Sequence, residues 1–198
     1  AKLLTFAQKS SGPQDFVRDG VAFTAAENKK MTDLLNLKDA NALEKAGLRS
    51  SVAQAAANRD GNFIEFTEFL DEIPGKGGAA AVGPAQLNAL KGNLGLISDM
   101  STGLNKASNE AVSLMGRNFS AAQAQAVTTL ANSGNQALME KSGFDSSLAS
   151  SLATRRPNVD NVTKLFVNET GRNGVVAYDA SRLAALQNGA ESGVALMS

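Results

Sequence analysis

Between positions 58 and 68 the chain reads Asn58-Arg59-Asp60-Gly61-Asn62-Phe63-Ile64-Glu65-Phe66-Thr67-Glu68. Side-chain oxygens at alternate positions, followed by carboxylates, are the raw material of a hard-cation site. The acids offer a second chemistry: Glu65 with Glu68, or Asp71 with Glu72, would be paired carboxylates for acid–base work. Little else supports catalysis. The chain has no His and no Cys, which removes the commonest general base, thiolate nucleophiles, disulfides and zinc–thiolate sites. The acids are therefore read as ion ligands or a solvated helix face, and the protein as non-enzymatic.

The run resembles the calcium loop and exit helix of the EF-hand family, in calmodulin-like and calerythrin-like arrangements. That resemblance makes Asn58, Asp60 and Asn62 ligands on one alternating set. Ile64 becomes the residue that pairs with a partner loop, Glu65 a water-mediated ligand and Glu68 the closing bidentate carboxylate. The length departs from the family: eleven residues span Asn58 to Glu68, where the family loop has twelve. Gly61 also stands early for the turn. Starting at Ala57 restores the length but puts Ala57, Arg59 and Gly61 at the first three ligand positions. Two of the five candidates are neutral Asn, and affinity falls with ligand charge. The resemblance thus implies at most one or two weak calcium sites. The competing reading is a helix–turn–helix with a polar Asp60-Gly61 turn, Thr67 as N-cap and no ion.

Weaker echoes recur at Phe23, Phe119 and Tyr178, each with an aromatic just before a Thr, Ser or Asp N-cap. Thr24-x-x-Glu27 and Ser120-x-x-Gln123 are capping boxes, which open helices in any fold. The last echo, 168–179, has the spacing of an intact loop, but Gly171 and Ala180 take two ligand positions. In the EF-hand family, hands pair through the short apolar segment of each loop. The resemblance therefore sets Val21–Phe23 against Ile64–Phe66 and the third segment against Val175–Tyr178. The implied fold is all-α, of EF-hand-like helix–loop–helix pairs with very short β pairings between loops.

Helices are expected from Thr24 to about Leu37, from Asp39 or Asn41 to Ala57, and from Thr67 to Ile73. Leu87, Leu90, Leu94 and Ile97 mark another at three- and four-residue steps, as do Leu104, Ala107, Ala111 and Leu114. Further pieces fall after Ser120, over 135–142 and 145–153, from Val159 to Val167 and over 179–187. Leu3, Leu4 and Phe6 form a short apolar turn at the start. Pro74 to Pro84, rich in Gly and Ala, reads as a linker. It separates an N-terminal pair, 1–73, from a C-terminal helical region with a degenerate pair, 85–198.

Nineteen basic and nineteen acidic residues leave no net charge, so no basic surplus points to nucleic acid. No apolar run reaches the roughly 20 residues of a membrane span, and the first six residues are too short for a signal peptide. The compartment stays open between cytoplasmic and secreted. The expected partner is another protein. The expected function is a calcium-binding or calcium-independent interaction module; the alternative is a helical assembly or secreted effector protein without a metal site.

Overall fold

The computed structural model describes residues 12–198; the apolar turn read at Leu3, Leu4 and Phe6 lies outside them. The described chain is mostly helical, with two small antiparallel hairpins. In the first, β1 (Phe16–Arg18) returns as β2 (Val21–Phe23) and sets Phe16 opposite Phe23. Its turn is Asp19-Gly20, both at positive φ, the geometry a two-residue hairpin turn requires. Thr24 then caps α1 (Ala25–Asn36) in a complete capping box with Glu27. There follow α2 (Ala40–Ala46), α3 (Ser50–Asn58), α4 (Phe66–Glu72), α5 (Pro84–Gly92) and α6 (Leu94–Gly103).

The second half starts again with a hairpin, β3 (Val112–Leu114) and β4 (Arg117–Phe119). Ser120 and Gln123 form the expected capping box of α7 (Ala121–Ala131). Then come α8 (Gln136–Lys141), α9 (Ser146–Arg155), α10 (Val162–Glu169) and α11 (Ala180–Ala195).

Several expectations need correction. The loops do not pair: β2 pairs with β1 and β4 with β3, because closing a two-residue turn costs far less chain entropy than joining distant loops. Phe66 enters a helix instead. The stretch expected as one helix from Asp39 to Ala57 is two. Gly47, at φ 117°, ends α2 in the left-handed conformation and lets Leu48 turn into the core. Thr67 lies inside α4, whose N-cap is Glu65. Leu104 to Leu114 is not a helix; Val112 and Leu114 are buried around exposed Ser113, which is strand alternation. The helix expected from Val159 begins at Val162, where Asn161 caps it, and α11 runs well past 187.

The halves are two copies of one design, ninety-six positions apart and without insertion from β1 to the start of α5. Phe23 matches Phe119, Gly47 matches Gly143, Arg59 matches Arg155 and Thr67 matches Thr163. Long-range hydrogen bonds recur at the same offset. Asn36 accepts from the Phe63 N–H and donates to its carbonyl, at 2.7 and 2.9 Å, as Asn132 does with Val159, both at 2.9 Å. Ser51 accepts from the Ala80 N–H as Ser147 does from Val176. The Gly75 N–H bonds the Ala80 carbonyl as Gly171 bonds Val176. Thus the Pro/Gly stretch 74–84 and the loop-like stretch 170–180 make the same turn in successive units. Ala79 in that turn is buried, and α5 beyond it returns to β2.

Within each unit the first helix packs on the last, α1 on α6 and α7 on α11. Between units the seam is one-sided: α2 packs on α10, and α6 on β3 and α10. Gly103 sits at its tightest point, where a Cβ would stand 2.1 Å from Thr163 Oγ1. Buried side chains on both sides of the seam join one continuous apolar cluster. Among the described residues its ring–ring contacts lie in unit one, where Phe23 and Phe66 pack edge to face at 5.5 Å and Phe66 stacks on Phe69. Unit two has Phe119, Val162 and Leu165 at those places. No helix among the described residues is long and apolar enough to cross a membrane.

Candidate functional site: the loop between α3 and α4

The loop at 59–65 joins α3 to α4 as a helix–loop–helix, and two asparagine contacts, one part-buried and one buried, fix its path. Asn36 holds Phe63 as described, and Asn28 accepts from the Phe66 N–H at 2.8 Å. Asn28 is fully buried, so its amide replaces water for a backbone group that would otherwise be orphaned. With Phe63, Phe66 and Phe69 anchored in the core, the polar residues between them stand outward.

The five candidate ligands do not converge. Asn58 is the last residue of α3 and is exposed, as are Asp60 and Asn62. Glu65 is the half-buried N-cap of α4 and makes no side-chain capping bond. Glu68 turns back over the loop: one carboxylate oxygen accepts from the Ile64 N–H at 2.6 Å. The other accepts from Arg59 at 2.7 Å. The bond to Ile64 satisfies a backbone donor ahead of the helix, a capping role. Among the described residues, no group of three or more acidic side chains gathers as an ion would need.

Two cations fill the loop instead. Arg59 donates to Glu68, to both oxygens of Glu72 at 2.7 and 2.9 Å, and to the Asn62 carbonyl at 2.9 Å. Its guanidinium also lies 4.4 Å from the centre of the Phe63 ring, a favourable cation–π placement. Lys38 reaches in from the end of α1 and donates to the Arg59 and Gly61 carbonyls at 2.9 and 2.6 Å. The electrostatics follow. Hydrogen bonding from Arg59 holds the Glu72 carboxyl below its ordinary range. Burial, then repulsion from Arg59, lowers Lys38.

Protein-family models, curated proteins and solved structures give no match to this chain. The comparison that the molecule does offer is with itself. In unit two, the positions of Asp60, Glu65 and Glu68 are Arg156, Asn161 and Lys164. What survives is the asparagine pin and the arginine: Arg155 pairs with Glu169 on α10 as Arg59 pairs with acids on α4. The carboxylates are the variable part of this loop. A count of ligand oxygens misses both cations, although Arg59 stands inside the motif and Lys38 has a left-handed φ at the end of α1.

Proposed function

We propose that this chain is a non-enzymatic, calcium-independent protein-interaction module, EF-hand-like only in its helix–loop–helix shape. The observation that carries this reading is the occupation of the 58–68 loop by Arg59 and Lys38. A hard cation would have to displace a guanidinium bound to two carboxylates and an ammonium bound to two carbonyls. The absence of His and Cys and the balance of charge support a surface that meets other proteins rather than a reactive or polynucleotide-binding one.

The calcium-binding alternative draws on the same residues and makes the opposite prediction. A ligand that binds only the folded state raises the melting midpoint by mass action. Circular dichroism melts in millimolar calcium and in excess chelator are expected to coincide. A calcium-dependent rise that Glu68→Gln abolishes would replace this reading with a working site. Arg59→Met is expected to lower stability to the same extent with or without calcium, since it leaves the Glu68 and Glu72 carboxylates beside each other without their cation.

A further inference from the structure

The seam between the units shows how an end of this design receives the next unit. At the end of α2, Glu44 accepts from Arg172 at 3.3 Å. Its neighbour Lys45 donates to the Thr170 carbonyl at 2.7 Å and lies 4.8 Å from the Phe166 ring centre. Ninety-six positions on, α8 ends in the same dipeptide, Glu140-Lys141, and both residues are exposed. The surface that α2 meets on unit two has its own earlier copy: Leu70 for Phe166, Pro74 for Thr170 and Lys76 for Arg172. Lys76 is exposed, and the Pro74 carbonyl can accept as the Thr170 carbonyl does. Each half of the contact therefore exists without a partner unit and with its charges preserved; within its own unit Glu140 accepts from Gln136 at 2.9 Å, and Lys76 donates to the Asp71 carbonyl.

We propose that a second copy of this chain docks head to tail, α8 of one copy on the 70–76 turn of the next. The proposal rests on the protein-interaction reading and names its partner. Glu140 pairs with Lys76 of the next copy, and Lys141 caps the Pro74 carbonyl with its stem across Leu70. The seam supports a directional contact rather than a two-fold one: α2 packs on α10, while α8 against α4 is not among the packed pairs. A contact of that kind leaves both outer ends free and propagates into an open chain or a ring.

It is also weaker than the seam. Arg18 pairs with Asp71 at 2.6 Å where unit two has Leu114 and Val167, so the apolar share contributed by α6 is missing. The seam itself benefits from the high effective concentration of linked units. With only the α8 contact, dissociation constants of about 0.1–1 mM are expected, as for small transient interfaces.

The test is sedimentation velocity from about 10 μM to 2 mM protein, a range that brackets the dissociation constant expected for so small an interface. The samples are the wild type, Glu140→Lys, Lys76→Glu and an equimolar mixture of the two variants. The wild type is expected to shift to larger species with concentration. Each variant alone places like charges across the contact and is expected to associate at least about tenfold more weakly. In the mixture every end meets an opposite charge, so association should return to the wild-type level, which also shows that both variants are folded. A wild type that stays monomeric, or variants that associate as it does, would overturn the proposal. Neither result bears on the calcium melts, so the failure of the self-contact and of calcium independence remain separate.

Discussion

At the scale of single residues, Lys45 carries the clearest consequence. Burial first, and the charge of Arg172 second, lower its ammonium from 10.5 to about 8. The folded state thus releases this proton at a lower pH than the unfolded chain. Between about pH 8 and 10.5 the unfolded state binds more protons, so stability gains a rising contribution with pH across that window. Below pH 8 both states are charged, and the fold bears the full cost of keeping a half-buried cation beside Arg172. Tyr178, pushed up to about 12 by burial, acts only above pH 10 and in the opposite sense. Across urea midpoints measured from pH 7.5 to 9.5, the wild type should gain on Lys45→Met as pH rises. A constant difference would mean that Lys45 is not titrating where its surroundings place it. The same residue shows what sequence reasoning passes over. Nothing at position 45 distinguishes it from Lys141, yet one is clasped in a seam and the other faces solvent.

At the scale of elements, the asparagine pins are the recurring device. Asn36 and Asn132 each satisfy both backbone groups of a residue that starts the approach to the fourth helix of its unit. Replacing either with Ala leaves a part-buried N–H and carbonyl unpaired, at a cost of about 1–3 kcal/mol. Equal losses for Asn36→Ala and Asn132→Ala, measured by urea denaturation, are the expected outcome. A large loss at one and none at the other would show that the matched geometry is not matched in energy. The local signals for these elements were legible. Both capping boxes lie where Thr24 and Ser120 place them, because a cap depends on residues three apart. The pins were not legible, because they join positions twenty-seven apart. The strands were misread for a different reason: Val112 and Leu114 fit helical spacing with Leu104 and Ala107 as well as they fit alternation. The Met115-Gly116 turn, both residues at positive φ, decides the matter in favour of the hairpin.

At the scale of the whole molecule, the repeat was present in the sequence, and four unequal echoes obscured it. The spacings of Phe23, Phe66, Phe119 and Tyr178 look irregular only because three different positions of the unit are interleaved, Tyr178 matching Val82. Phe23 matches Phe119, whereas Phe66 matches Val162, where the aromatic is lost. Substitution of core aromatics by aliphatics keeps the burial pattern and removes the letters. That duplication has a thermodynamic consequence at the seam. Two units that share one apolar cluster should unfold together, provided the seam contributes more than the difference between their own stabilities. Gly103 is the place to test it. A Cβ there would meet Thr163 Oγ1 at 2.1 Å and Val112 at 3.0 Å. Thr163 is fully buried on α10 and, being β-branched, has little rotamer freedom with which to yield. Gly103→Ala should therefore wedge α6 away from unit two while leaving each unit's interior intact. Tyr178, the sole Tyr in a chain without Trp, reports on unit two alone, whereas far-ultraviolet circular dichroism averages over both. In the wild type the two probes should give coincident urea transitions. In Gly103→Ala they should separate, because each unit then unfolds at its own stability. Coincident transitions in the variant would mean that α6 is not what couples the units, and that the α2–α10 contact carries the seam by itself.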